Sequence, residues 1–394
     1  MPLPAAFDQQ EEVFGAAFQV LREAITQRAF PSASVSVTHA GKLVVLKALG
    51  KSTYEQGASN SSLAGPEAGD FDVHVDTLFD LASVTKAVAT TTMAAILYER
   101  GLLELEAPVV GVVPEFELDS SGYKDPRRRE VNFRMLLAHS SGLPAYERLF
   151  LRTHSRDELM RAAFTTALTA DPGTRAEYSD IGFIVLGAAL ERIAGESLDP
   201  FCRREIFGPL AMTRTTFNPP DEIRGDIPPT ADERPKTEGG AGSVLAKPRS
   251  TFRSRIIQGE VQDENASVLG GVAGHAGLFS TAGDLALFAE AMLHGGRPIL
   301  RPETVALFTR RESVPHGTSR ALGWDTPSAP SQSGRYFSPS SYGHLGYTGT
   351  SLWIDPERQL SITLLTNRTW PDCSNQAIKQ VRPKFHDAVV EALN

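Results

Sequence analysis

Cysteine is nearly absent from this 394-residue chain: Cys202 and Cys373 stand alone and far apart. Two such thiols supply neither a disulfide framework nor a metal site with recognisable ligand spacing, so no metal or other cofactor is expected. Clustered positive charge is also scarce. Lys and Arg total 39 against 47 Asp and Glu, a net charge of −8, and the one basic run, Arg127 to Arg129, reads as a solvated loop. Without a basic footprint the chain is a poor partner for nucleic acid or an anionic membrane surface. No apolar stretch approaches the roughly 18 residues of a bilayer span. Near the start, Asp8, Glu11 and Glu12 occupy ground where a secretory signal needs cations and an unbroken apolar run, so the expected compartment is the cytoplasm. Hydrophobic residues at 41% and charged residues at 22% are ordinary for a globular protein, which excludes a disordered or fibrous chain.

What is present has a clear order. Val13, Phe14, Ala17, Phe18, Leu21, Ala24 and Ile25 recur at three- and four-residue intervals and predict an amphipathic helix. The period then shortens to two from Ala33 to His39, Ala40-Gly41 supplies a turn, and Leu43 to Leu49 continues as a second strand. Residues 51 to 76 read as an irregular connection. Further helices are expected over 83–100, 133–138, 156–169, 181–194, 283–294 and 376–392, and strands over 351–354 and 360–366. Between 218 and 262 six prolines and little periodicity predict a long loop. Strands near both ends with helices between them imply an α/β (α+β) fold: an antiparallel sheet, flanked by the N- and C-terminal helices, with a mostly helical insertion. The expected division is 1–80 with 285–394 for the sheet and 81–284 for the insertion.

Three clusters could carry chemistry. In Ser83-Val84-Thr85-Lys86 the serine and lysine share one face at a helix start, which also favours negative charge. Desolvation can bring a lysine from about pH 10.4 toward neutrality, where it can take the serine proton. An N-cap serine followed by a surface lysine would give the same tetrad. A second copy, Ser121-Gly122-Tyr123-Lys124, runs into a turn and is set aside. Tyr178-Ser179-Asp180 opens the apolar helix after 180; a tyrosine beside a cation ionises or relays a proton more readily, although Ser179 or Asp180 as a helix cap explains the pattern equally well. Gly343-His344-Leu345-Gly346 leads to a strand through Tyr347, and glycines there let a ligand approach the backbone amides. His344 could donate a hydrogen bond or relay a proton. The chain lacks the Gly-x-Ser-x-Gly elbow of another large hydrolase fold.

In order and rough spacing these clusters resemble Ser-x-x-Lys, Tyr-x-Asn and Lys-Thr-Gly, the motifs of serine β-lactamase-like and penicillin-binding enzymes. The resemblance is strongest to the class C β-lactamase-related group, which includes esterases and D-amino-acid peptidases, and it implies a β-lactamase/transpeptidase-like fold. It implies that Ser83 forms an acyl-enzyme, that Lys86 and Tyr178 move its proton, and that the backbone amides of Ser83 and Tyr347 form an oxyanion hole. Asp180, His344 and Gly346 then fall where substrate binds. The stretches around His139 and His275 are expected to be scaffolding. Two departures bear on substrate. His344 and Leu345 stand where the family has a cation and a hydroxyl, so a carboxylate ligand is missing, and Asp180 replaces an amide. Both favour uncharged esters over peptides or β-lactams. Pairing of Asp180 with Lys86 would raise the lysine and leave more of the base role to Tyr178. The expected protein is a serine hydrolase of small-molecule esters, with an amide-directed peptidase or weak β-lactamase as first alternative and a non-catalytic scaffold as second. The oligomeric state is left open.

Overall fold

The shift of period along the first fifty residues becomes a helix, Gly15–Thr26, followed by a hairpin of β1, Ser32–His39, and β2, Lys42–Gly50. The helix buries Ala17, Phe18, Leu21 and Ala24, the residues its spacing selects. Ala40 and Gly41 both take positive φ, 48° and 76°, the backbone of a tight hairpin turn that matches strand twist. The computed structural model describes residues 3–54, 69–235 and 252–394.

Three strands from the other end of the chain complete the sheet: β8, Tyr342–Leu345, β9, Ser351–Asp355, and β10, Leu360–Thr366. The order is β2-β1-β10-β9-β8 with every pairing antiparallel, and β1 meets β10 from Ala33↔Thr366 to His39↔Leu360. The two ends of the sequence therefore form the middle of the sheet. On one face Ala33, Val35, Val37, Trp353, Ile362 and Leu364 pack against Gly15–Thr26 and the helix Ile378–Leu393. On the other, small hydroxyl residues alternate with these and admit a helix at close range: Ser36 Oγ donates to the Ala282 carbonyl at 2.7 Å, at the start of the helix Ala282–Leu293. Its core continues without a break into the helical region. Helices thus cover both faces of one sheet.

Helices Phe133–Leu137, Arg156–Phe164 and Asp180–Ala194 lie where expected, the last ended by Gly195 at φ 70°. The segment after Ser83 begins with a π-helical turn, Lys86–Thr91, and becomes α-helical over Thr92–Glu99. Such turns recur at functional sites. The Ser121 copy sits in an exposed turn, with Lys124 paired to Glu117.

Two expectations are corrected. Arg128 is not solvated: it is wholly buried, and its guanidinium donates to the carbonyls of Phe116 at 3.1 Å, Phe164 at 2.8 Å and Thr166. Phe164 and Thr166 lie at the end of Arg156–Phe164, where unpaired carbonyls and the helix dipole favour a cation. Its neighbours Arg127 and Arg129 pair with Asp125 and Glu117 at the surface. The 218–262 stretch is also not structureless at its base. β5, Ala231–Asp232, pairs with β6, Ile256–Ile257, and the ion pair Arg253–Glu233 is buried beside them at 2.7 Å. Residues 236–251, in its middle, lie outside the described residues. A small sheet of β3, Phe79–Asp80, β7, Leu278–Ser280, and β4, Thr216–Phe217, in the order β3-β7-β4, carries the chain into the site.

Candidate active site

β3 delivers the nucleophile candidate. Leu81 N–H still bonds to Leu278 O at 2.9 Å, then the chain turns sharply through Ala82, a non-glycine residue at φ 47°. Ser83 follows, at the mouth of the helix. Lys86 donates to Ser83 Oγ at 3.0 Å, to Asp180 Oδ1 at 2.6 Å and to the His275 carbonyl at 2.9 Å, so three acceptors match the three donors of an ammonium. With 0% of Lys86 exposed, the surface-lysine alternative fails. Burial pushes its pKa down and Asp180 pulls it back, and the result lies below the ordinary lysine value. The ion pair raises the lysine as expected, but desolvation is the larger effect.

Tyr178 is set by the His139 loop. His139 O accepts the Glu177 N–H at 2.8 Å, its Nδ1 accepts the Ser179 N–H at 3.0 Å, and its ring lies 4.7 Å from that of Tyr178. Ser179 caps the helix by accepting Gly182 N–H at 2.9 Å, which frees Asp180, the first helical residue, to face Lys86. The helix cap and the contact with Lys86 therefore fall on adjacent residues. The Tyr178 phenol is near enough to Ser83 and Asp180 for both to act on its titration, which draws the three sequence candidates together. Burial, and then the Asp180 charge, push the phenol well above its usual pKa. The expected easy ionisation does not occur, and Tyr178 keeps its proton at neutral pH.

The third cluster is the β8–β9 hairpin. Gly346 lies so near the nucleophile strand that a Cβ there would overlap Thr350 Oγ1 and the Leu81 carbonyl. Thr348 and Thr350 stitch the same contact, donating to Asp80 O at 2.7 Å and Leu81 O at 2.9 Å. The backbone N–H groups of Ser83 and Tyr347 meet no acceptor among the described residues. His344 is buried, its Nδ1 is 2.8 Å from the Leu345 carbonyl, and burial with nearby Lys86 drives its pKa to about 3. It is therefore neutral, with Nδ1 carrying the hydrogen. Its Nε2 has no partner among the described residues.

Several contributors escaped the sequence reading. Arg320, from a loop beside β8, places its guanidinium 5.4 Å over the Tyr178 ring and pairs with Asp325 through Nη1, while its Nε and Nη2 have no acceptor among the described residues. Arg368 donates to Tyr347 O at 2.7 Å and Arg382 to Gly349 O at 3.1 Å, holding the hairpin turn from behind. No motif marks them. The scaffolding expected of the His139 and His275 stretches is more pointed than that, since one fixes Tyr178 and the other binds Lys86. Among the described residues, no three His, Cys, Asp or Glu side chains gather to hold a metal ion.

The family model described as Beta-lactamase matches residues 17–381. The chain belongs to the beta-lactamase family. It is 32% identical over 354 residues to an N-acetylmuramyl-L-alanine amidase of Bacillus subtilis, covering 86% of this chain and 77% of that one. It is 31% identical over 364 residues to a putative D-alanyl-D-alanine carboxypeptidase of Salmonella agona, covering 89% and 81%. Among solved structures, EstCE1, a hydrolase with promiscuous acyltransferase activity, superposes with a TM-score of 0.73 at 22% identity over 96% of this chain and 99% of its own. A penicillin-binding protein homologue from Pyrococcus abyssi gives 0.68 at 20% identity, over 96% and 77%. These likenesses share one fold with an antiparallel sheet, and this member of the family is a serine hydrolase by kind. Among the described residues no helix is long and apolar enough to cross a membrane.

Proposed function

We propose that this beta-lactamase family member hydrolyses an amide bond beside an anionic group, through an acyl-enzyme on Ser83. The observation that carries this reading is Arg320. Uncharged esters were expected because His344 and Leu345 offer no carboxylate ligand, but a cation enters the same space from a different loop, with two donors to spare. Relatives above 30% identity carry the names N-acetylmuramyl-L-alanine amidase and putative D-alanyl-D-alanine carboxypeptidase, and compounds so named combine an amide with a carboxylate.

In this reading Ser83 Oγ attacks the carbonyl carbon while its proton passes to neutral Lys86. The negative oxygen is held by the N–H groups of Ser83 and Tyr347. As the carbon–nitrogen bond breaks, Tyr178 gives its proton to the departing amine and is reprotonated through Lys86. Water then attacks the ester on Ser83 and loses a proton to the same lysine, which passes it to Ser83 Oγ as the carbon–Oγ bond breaks and the acid departs. Asp180 orients Lys86 and Tyr178 at one carboxylate.

The test compares kcat/KM on N-acetylmuramyl-L-alanine and a D-alanyl-D-alanine peptide with that on p-nitrophenyl butyrate. Arg320→Ala should cost about 10- to 100-fold on the anionic amides, mostly in KM, as expected for one lost charge-assisted hydrogen bond. The neutral ester should be little affected. Faster turnover of the ester, with Arg320→Ala indifferent on every substrate, would return the reading to a carboxylesterase.

A further inference from the structure

Asp80 is a buried carboxylate that this chemistry leaves unused. It is 2% exposed, at the end of β3, three residues before Ser83. One oxygen accepts the Ala82 N–H at 2.7 Å and the other accepts the Gln262 N–H at 2.7 Å. Ala82 is the left-handed residue of the turn, a conformation that is unfavourable for an ordinary L-residue and needs something to hold it. We propose that Asp80 is a positioning residue: its ionised carboxylate holds Ala82 in the left-handed turn that aims Ser83 Oγ at Lys86, and it ties the reactivity of Ser83 to the segment that ends at Gln262.

The geometry has a consequence in pH. Burial pushes Asp80 up to about 6, against the pull of its two backbone N–H donors. The charged groups that face it are Asp263, itself paired with His275, and Arg253, itself paired with Glu233. As pH falls through that value, one oxygen becomes a hydroxyl, and an acceptor of Ala82 or Gln262 is weakened. The reactive turn then loosens, so Ser83 should lose reactivity over a mildly acidic range.

The proposal rests on Ser83 as nucleophile but not on the identity of the substrate, so the readout is the rate of Ser83 labelling by a fluorophosphonate. Wild type should show an acid limb near pH 6. Asp80→Asn should fall about tenfold or more at neutral pH and lose that limb, with its melting curve still cooperative. The penalty of Asp80→Asn should shrink several-fold in an Ala82→Gly background, because glycine adopts positive φ without help. If Asp80→Asn does not fold, a limb that becomes shallower in Ala82→Gly alone supports the proposal. An acid limb unchanged in Asp80→Asn, or unchanged in Ala82→Gly where that is the folded variant, belongs to Lys86 and overturns it, as do strictly additive effects. Labelling at a residue other than Ser83 overturns the nucleophile assignment and this proposal together.

Discussion

Lys86 and Asp180, 94 residues apart in sequence, form an ion pair of 2.6 Å in which the lysine is entirely buried and the carboxylate only partly. The pair is unequal. Burial lowers the lysine further than the aspartate can raise it, so the amine gives up its proton more readily than an ordinary lysine while still held at Ser83 Oγ.

Asp180→Asn tests that balance. The substitution keeps the shape but removes the charge that favours the ammonium, so Lys86 should lose its proton at a lower pH than in wild type. The base must be neutral to act, so in an Asp80→Asn background, where the limb set by Asp80 is gone, adding Asp180→Asn should move what remains of the acid side of the acylation profile to lower pH. A limb that moves upward, or stays fixed, would show that Asp180 does not act on the lysine.

Tyr178→Phe distinguishes a proton donor from a base. A phenol held protonated by burial and by Asp180 serves the leaving group, so its loss should cost about 10²–10⁴ in kcat on an amide. An ester whose p-nitrophenolate leaves without a proton should suffer far less. Equal losses on both substrates would assign Tyr178 to activation of Ser83 instead.

Arg128→Met concerns stability alone. Three backbone carbonyls lose a common donor, and each buried unsatisfied group costs about 1–3 kcal/mol, so denaturant unfolding should show a fall of at least that order. Arg129→Met, at an exposed ion pair, should change little. Equal effects at the two positions would contradict the burial of Arg128.

The same chain was legible to very different degrees. Gly15–Thr26 and β1 could be read directly because period and burial agree there: Phe18 and Leu21 face inward on one helical stripe, and Val35 and Val37 on one side of a strand. Arg128 could not be separated from Arg127 and Arg129, because three identical residues carry no mark of which one meets the end of a helix. Arg320 was invisible for a related reason, since its loop has no periodicity and its target, the Tyr178 ring, lies on another segment altogether.

Composition, period and the three short motifs were enough to determine a sheet made from both chain ends and to single out Ser83, Lys86 and Tyr178 as candidates. They could not determine protonation. Whether Lys86 is lowered, Tyr178 raised or His344 neutral depends on how much water each group loses and which charges surround it, and both are properties of the packed molecule. Residue types name the groups available for chemistry; only the tertiary structure decides which of them holds the proton.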